Sequence, residues 1–249
     1  MRRYSDYDPF AWLFANHWGG EFHEQAYTVL DRLLLHRLPA GAAILDLCCG
    51  DGRLTRVLEG KGYRMTGIDG SERMLEFARA RCRQAEFVLG DARTFVLSER
   101  FDATISTFDA LNHIMTPEEF SEVCRRVYTV LRPGGYFAFD LNREEAYTAL
   151  WAQTFAQVEP DMVSVSVGAY DRARRTAYCD VTLFRLEGAN RWLRSDFRLS
   201  QYCHQRDAVE QSLRTAGFDE ISVLDAAAGL GMYGNIGQGR DFYLARRPS

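Results

Sequence analysis

The chain has 249 residues, 47% of them hydrophobic, and a formal net charge of −4. That length suits one α/β domain with added segments, and that apolar content excludes a disordered chain. The acidic balance offers no footprint for a polyanion, so a nucleic-acid partner is not expected.

The opening residues 1–6 lack the apolar stretch of a signal peptide. Residues 10–38 read as helical: Phe10, Leu13, Phe14 and Trp18 recur at helical spacing, as do Phe22, Ala26, Val29, Leu30, Leu33 and Leu34. Pro39-Ala40-Gly41 ends that segment. Short apolar runs then alternate with amphipathic helices. Strands are predicted over 43–47, 64–68, 86–89, 101–106 and 136–140. Helices are predicted over 54–59, from Ser71 through Ala78, and from Thr116-Pro117 to Pro133-Gly134-Gly135. This rhythm predicts a parallel sheet with helices on both faces, which binds ligands at the carboxyl ends of its strands. Asp46, Asp69, Asp91 and Asp140 all fall at or near those ends.

From 151 to 203 the rhythm changes. Val163, Val165 and Val167 alternate with serines, further strand-like stretches follow, and Gly188-Ala189-Asn190 reads as a turn. This is an antiparallel insertion, either a lid over the pocket or the interface of a homodimer. A helix over 207–216 ends at Gly217, and strands over 221–224 and 241–245 flank a glycine-rich loop, Gly229 to Gly239. None of the six cysteines forms a Cys-x-x-Cys pair, so no metal site is expected. No run approaches the ~18 apolar residues of a membrane span, so no membrane partner is expected. A reduced cytoplasm is the expected location.

The most informative stretch is Ile44-Leu45-Asp46-Leu47-Cys48-Cys49-Gly50-Asp51-Gly52, followed by Asp69 at the end of the next apolar run, 23 residues beyond Asp46. Glycines let a backbone approach a ligand at a strand-to-helix turn, and an acid about 20 residues on is where a nucleoside ribose is held. The dinucleotide pattern G-x-G-x-x-G fails here, because Thr55 stands where Gly50 and Gly52 would require the third glycine.

Asp46 to Gly52 resembles the first motif of class I S-adenosylmethionine-dependent methyltransferases. Gly67-Ile68-Asp69-Gly70-Ser71 with Met74 resembles the second, Gly90-Asp91-Ala92 the third, and Phe101-Asp102 through Phe108 the fourth. Leu131-Arg132-Pro133-Gly134-Gly135 resembles the segment before the family's fifth strand, and Ala216-Gly217-Phe218 also fits. Two positions depart: Cys48 stands where the family commonly has glycine, and Asp51 where Thr or Ser is frequent. A positive φ is harder for cysteine than for glycine.

The resemblance implies an α/β fold: a Rossmann-like, doubly wound, seven-stranded, mostly parallel sheet, one domain over 1–249, with an N-terminal helical lid (1–40) and the β insertion after strand 5. It implies S-adenosylmethionine as cofactor. Asp69 is expected to take the ribose hydroxyls. Asp46, Cys48 and Gly50 are expected around the methionine part, Gly70, Met74, Asp91 and Ala92 around adenine, and Ser106, Thr107 and Phe108 beneath the sulfonium. Tyr7-Asp8-Pro9-Phe10-Ala11 resembles a leading segment that folds over the cofactor. It makes Tyr7 a cofactor residue and His17 and Trp18 acceptor candidates, joined by Asn142, Tyr170 and Tyr202. His113 is the candidate general base. The chain carries neither an Asn/Asp/Ser-Pro-Pro-Tyr/Phe motif, since Ser106-Thr107-Phe108-Asp109 stands there, nor a Pro-Cys nucleophile. A small-molecule acceptor is therefore expected. An NAD-linked oxidoreductase and a non-catalytic cofactor-binding module are the alternatives.

Overall fold

The structure, a computed structural model, describes residues 7–18, 20–188 and 190–249. Residues 1–6, read above for a signal peptide, Gly19, and Ala189 of the predicted turn lie outside them. In chain order the strands are β1 (Ala43–Leu47), β2 (Arg64–Asp69), β3 (Glu86–Leu89), β4 (Phe101–Ser106), β5 (Leu131–Asn142), β6 (Thr154–Glu159), β7 (Met162–Asp171), β8 (Thr176–Leu186), β9 (Trp192–Tyr202), β10 (Asp219–Asp225) and β11 (Arg240–Arg246). The α-helices are α1 (Asp8–Leu13), α2 (Gly20–Leu33), α3 (Arg53–Gly60), α4 (Glu72–Arg81), α5 (Pro117–Val130), α6 (Glu144–Ala146) and α7 (Arg206–Ala216).

Seven strands form one sheet in the order β10-β11-β5-β4-β1-β2-β3. All its pairs are parallel except those made by β11, which runs against its neighbours β5 and β10. β1 is buried along its whole length because both faces are covered. Leu45 and Leu47 join a core with Val123 and Val127 of α5 and Leu213 of α7, while Ile44 joins a second core with Leu30 of α2 and Leu54 of α3. The expected doubly wound, mostly parallel sheet is the architecture found.

Local chemistry sets the helix ends. Ser71 caps α4 by accepting from the Met74 amide at 3.2 Å, and Thr116 caps α5 by accepting from the Glu119 amide at 3.2 Å. Gly217 closes α7 with φ 106°. Two boundaries differ from expectation. The chain enters β5 directly from α5 at Leu131, well before the predicted 136, and the register shifts between Phe101 opposite Leu131 and Ala103 opposite Tyr136. Pro133-Gly134-Gly135 is thus a bulge within the strand, not a break before it. The N-terminal helical stretch is also interrupted: a π-type turn, Phe14–Trp18, separates α1 from α2.

The antiparallel insertion is a second sheet, β6-β7-β8-β9. Its inner face packs on α1, with Val181, Leu183 and Leu199 against Phe10, Ala11 and Leu13. The inward positions on β7 are Ser164 and Ser166, both fully buried, whereas Val167 is 49% exposed. Met162 on the same face is also fully buried, and at Gly168 the chain crosses so close that a Cβ would sit 1.5 Å from the Trp151 carbonyl oxygen.

A close approach on the cofactor side of the main sheet is at Gly52, where φ is +73° and a Cβ would fall 2.8 Å from Cβ of Ala78 on α4. Gly62 shares a positive φ, +91°, but has open space around it. Gly62→Ala should therefore cost about 1 kcal/mol, and Gly52→Ala about 2–4 kcal/mol, because α3 and α4 must also separate. Urea unfolding of both variants checks this; equal costs would show that helix packing does not constrain Gly52.

Candidate active site

The carboxyl ends of β1, β2 and β4 meet above the middle of the sheet. After β1 the chain makes a tight loop in which Cys48, Gly50 and Gly52 have φ of 61°, 54° and 73°. Two of these positions suit glycine; Cys48 holds a conformation that is uncommon for a residue with a Cβ. The loop is tied to β2 by the Gly50 amide, which donates to Asp69 at 2.8 Å, and by the Cys49 amide, which donates to the Ile68 carbonyl at 2.9 Å. The other Asp69 oxygen accepts from the Ser71 amide at 2.8 Å. Asp69 thus shapes both flanking turns and also lines the cavity.

Burial governs the charges here. It pushes the Asp69 carboxyl up to about 6 despite those amide donors. Burial likewise pushes Asp46 up to about 7, against the hydroxyl of Thr55, which donates to it at 2.5 Å. The thiols of Cys48 and Cys49 are pushed well up by burial and by the acids around them, so both stay protonated and neither is an activated nucleophile.

β4 ends in two consecutive left-handed residues, Phe108 (φ 64°) and Asp109 (φ 47°). Their amides donate to the two oxygens of Asp140 at 2.7 and 2.8 Å. Arg240 completes the cluster, donating to Asp140 and, at 2.8 Å, to Asp109. It is the first residue of β11, and the reversed direction of that strand brings its start to the carboxyl ends of the others. From Asp109 a chain of polar contacts runs on to Gln201, which donates to His113 at 3.0 Å and accepts from the Tyr147 hydroxyl at 2.9 Å. The remaining His113 nitrogen, Nδ1, contacts the Ser200 carbonyl at 2.7 Å and the Tyr7 hydroxyl. A carbonyl only accepts, so Nδ1 carries the proton and Nε2 is the acceptor for Gln201. Burial lowers the His113 pKa and keeps the ring neutral.

Two cavities flank Phe108. The first, about 850 Å³ of empty space including its open mouth, lies over the loop. It is lined by the predicted Tyr7, Asp46, Cys48, Gly50, Asp69, Gly70, Met74, Ala92, Thr107 and Phe108, and by His113. Ser106 is buried and does not line it. Asp91 also lies outside the lining; its carboxylate is held by the Arg93 guanidinium through contacts of 3.0 Å. The second cavity, about 1360 Å³, opens between the N-terminal helices and the insertion and is lined by Trp18 and Asn142 among the predicted acceptor residues. The other three stand elsewhere. His17 packs on Trp12 with ring centroids 5.2 Å apart, Tyr170 stacks on Tyr147 at 5.3 Å, and Tyr202 packs against His204 at 4.9 Å. Tyr170 and Tyr202 serve packing because alternate residues of a strand face away from the cavity side, and His17 lies in the π-type turn.

Several residues of the site escaped the sequence reading. Phe14 has only helical spacing to mark it, and Phe10 only its place in the leading segment, yet both line both cavities. His23 lines the first cavity and is half-buried, and its two ring nitrogens, both shielded from solvent, have no hydrogen-bond partner. Burial lowers its pKa to about 4, so it is neutral, with one donor and one acceptor unused. Asp109, Gln201 and Arg240 carry no motif; the one local signal is a charge at the start of an apolar strand, as Arg240 is. Among the described residues no group of three His, Cys, Asp or Glu side chains is arranged to hold a metal ion, and no helix is long and apolar enough to cross a membrane.

The first cavity fits an adenosyl amino acid. It has a carboxylate at the tip of β2, a tight backbone cradle at Gly50, and an orphaned half-buried histidine at the loop end. A family model described as a methyltransferase domain matches residues 44–135. The chain is 29% identical over 186 residues to the putative methyltransferase YqeM of Bacillus subtilis (strain 168), covering 73% of this chain and 75% of that protein. It is 31% identical over 117 residues to a dTDP-3-amino-3,4,6-trideoxy-alpha-D-glucopyranose N,N-dimethyltransferase of Streptomyces venezuelae, covering 47% of this chain and about half (49%) of that protein. Its fold matches that of an S-adenosylmethionine-dependent methyltransferase from Clostridium acetobutylicum ATCC 824 with a TM-score of 0.81 at 18% identity, over 98% of this chain and 99% of that one. The loop, the acid at the tip of β2 and these likenesses agree: residues 44–135 match a methyltransferase domain, and together the findings support the class I S-adenosylmethionine-dependent methyltransferase superfamily for this chain.

Proposed function

We propose that the protein transfers the methyl group to a small-molecule acceptor seated in the second cavity. The observation that carries this reading is the shared wall: Phe10, Phe14, Phe108 and His113 line both cavities, so a ligand in one abuts a ligand in the other. When bound, S-adenosylmethionine supplies an electrophilic methyl on a sulfonium, which departs as a neutral thioether and calls for no oxyanion hole. The protein's contribution is then alignment, worth about 7–11 kcal/mol in favourable cases, and exclusion of water by the ring of aromatic side chains.

In this reading Asp69 accepts from the ribose hydroxyls, and Gly70, Met74 and Ala92 surround adenine, while Asp91, paired with Arg93, stands behind that lining. Asp46, Cys48, Gly50 and His23 surround the amino-acid end, where a neutral histidine supplies the N–H that a carboxylate needs. Thr107 and Phe108 form the floor under the reacting end, with Ser106 buried outside the lining, and Trp18 and Asn142 face the acceptor. The expectation of His113 as general base gives way to a positioning role: both nitrogens are engaged, and the ring holds Tyr7 of the N-terminal segment over the site.

Calorimetry with S-adenosylhomocysteine and with NAD tests the cofactor assignment. The wild-type protein should bind the first and not the second, and Asp69→Ala should weaken the first by about 3 kcal/mol, roughly a hundredfold. Tight NAD binding, or unchanged affinity in Asp69→Ala, would overturn the reading. Because burial has raised the Asp69 carboxyl to about 6, the protonated form dominates below that pH and is the poorer acceptor. Affinity for S-adenosylhomocysteine should therefore be constant above pH 7 and fall by up to about tenfold per unit as pH drops below 6.

The His23 role has its own discriminating measurement. His23→Phe should weaken S-adenosylhomocysteine about tenfold or more and leave 5′-methylthioadenosine, which lacks the amino-acid end, unchanged. Equal losses for the two ligands would mean that His23 only supports the loop.

A further inference from the structure

The second cavity has a chemical character that narrows its occupant. Its walls are mainly rings and hydrocarbon: Trp18, Phe108, Leu150, Trp151, Phe155 and Leu199. Its polar groups include the Arg240–Asp109 ion pair, which is continuous with Asp140 behind it. All three guanidinium nitrogens are taken: Nε donates to the Ile236 carbonyl at 2.8 Å, one Nη to Asp140, and the other to Asp109 at 2.8 Å. Two carboxyls face this one guanidinium. Among the described residues lining the cavity, Arg240 is the only permanent cation, and it has no surplus charge to offer. A phosphate, sulfate or carboxylate entering here would lose its water without gaining a counterion, at a heavy desolvation cost. That sets this cavity apart from one built to enclose the diphosphate of a nucleotide-linked sugar.

The second constraint is the supply of bases. His113 gives its Nδ1 proton to the Ser200 carbonyl and uses Nε2 to accept from Gln201. The oxygens of Asp109 are held by Arg240 and by Gln201. Neither group is open to take a proton from an acceptor. A hydroxyl, or an amine that arrives protonated, needs such a base before it attacks; an amine with its lone pair free at neutral pH does not.

From these two features we propose that the acceptor is an apolar, ring-bearing amine of low basicity, with no anionic group in the enclosed part. The inference rests on the methyl-transfer reading and names the acceptor class for that same site. The acceptor's nitrogen lone pair forms the new N–CH₃ bond as the methyl–sulfur bond breaks, and the electron pair of the broken bond stays on sulfur. The methylated nitrogen is then a weak-base ammonium, which releases its proton to water.

Three probes of one shape separate the terms: 2-aminonaphthalene, 2-naphthol and 2-naphthoate. Binding is measured by calorimetry on the wild-type protein saturated with S-adenosylhomocysteine, and by quenching of tryptophan emission, since Trp18 and Trp151 line the cavity. The amine and the naphthol should bind alike, and the naphthoate at least about 30-fold more weakly. Asp109→Asn, which removes one of the two carboxyls, should narrow that ratio, with far-UV circular dichroism checking that the variant is folded. With S-adenosylmethionine, mass spectrometry should show one added methyl on the amine and none on the naphthol. Naphthoate binding within threefold of the amine, methylation of naphthol at the rate of the amine, or failure of the amine to bind or to be methylated would each overturn the proposal. Failure of S-adenosylhomocysteine to bind would instead strike the cofactor reading beneath it.

Discussion

The buried contact between Arg240 and the carboxyls of Asp109 and Asp140 is the constraint on which the rest of the site depends. Two adjacent residues with side chains, Phe108 and Asp109, stand in the left-handed region, a conformation that costs of order 1–3 kcal/mol per residue unless its surroundings impose it. Asp140 imposes it by accepting both amides, and Arg240 neutralises the charge that those amides alone would leave buried. The Phe108 ring is then aimed between the cavities and stacks on Phe22 of α2 with centroids 4.4 Å apart and planes 14° from parallel. Removing one partner from such a cluster leaves an uncompensated charge, which is why buried ion pairs are costly to break even where they add little net stability. Here the cluster is better understood as fixing a backbone shape than as supplying stability.

The electrostatics of the first cavity follow the same logic. Its histidines are kept neutral by burial and its acids are pushed toward neutrality, Asp46 to about 7 and Asp69 to about 6. A pocket for a sulfonium benefits from carboxylates, yet three acids, Asp46, Asp51 and Asp69, crowd the loop. Two arginines relieve the crowding: Asp51 is ion-paired to both Arg53 and Arg81, each of which also donates to the carbonyl of Ala15 in the N-terminal segment. The departure from the family pattern at Asp51 thus has a structural consequence, because this acid anchors the guanidiniums that hold the π-type turn against the loop.

Much of the fold was legible in the sequence because each strand of the main sheet is a compact apolar run bounded by turn residues. The loop from Asp46 to Gly52 and the acid at Asp69 were legible because backbone geometry restricts which residue types stand there. The acceptor side was not, and the reasons differ by residue. His17, Tyr170 and Tyr202 were chosen by type, but which way a strand or helix residue faces depends on register, and they face packing partners. On β7 valine and serine alternate, and the serines are the buried set, a choice of face that the local sequence does not make. His23 sits in a helix whose apolar neighbours disguise it, and Arg240 acts on Asp109 across 131 positions of sequence. No short window contains such a contact.

This division has a physical origin that bears on specificity. The matched methyltransferase-domain model ends at residue 135. Within that span lie the loop, Asp69 and the turn at Phe108, most of the lining of the first cavity, which Tyr7, Phe10, Phe14 and His23 complete from outside it. The second cavity draws instead on Phe10, Phe14 and Trp18, on residues 146–155, on Leu199 and Gln201, and on Asn235, Ile236 and Arg240. All of these fall outside the matched span, and only Phe108, Asp109 and His113 lie within it. A cofactor shared by many enzymes demands a similar backbone cradle from each. An acceptor demands only a complementary wall, and walls made of side chains from a roof helix and an added sheet change without disturbing the cradle. The seam between the halves is Phe108, whose backbone belongs to the shared demand and whose ring belongs to the variable one. Reading acceptor class from likeness over residues 44–135 therefore carries little weight, whereas the charge balance around Arg240 and the engaged nitrogens of His113 bear on it directly.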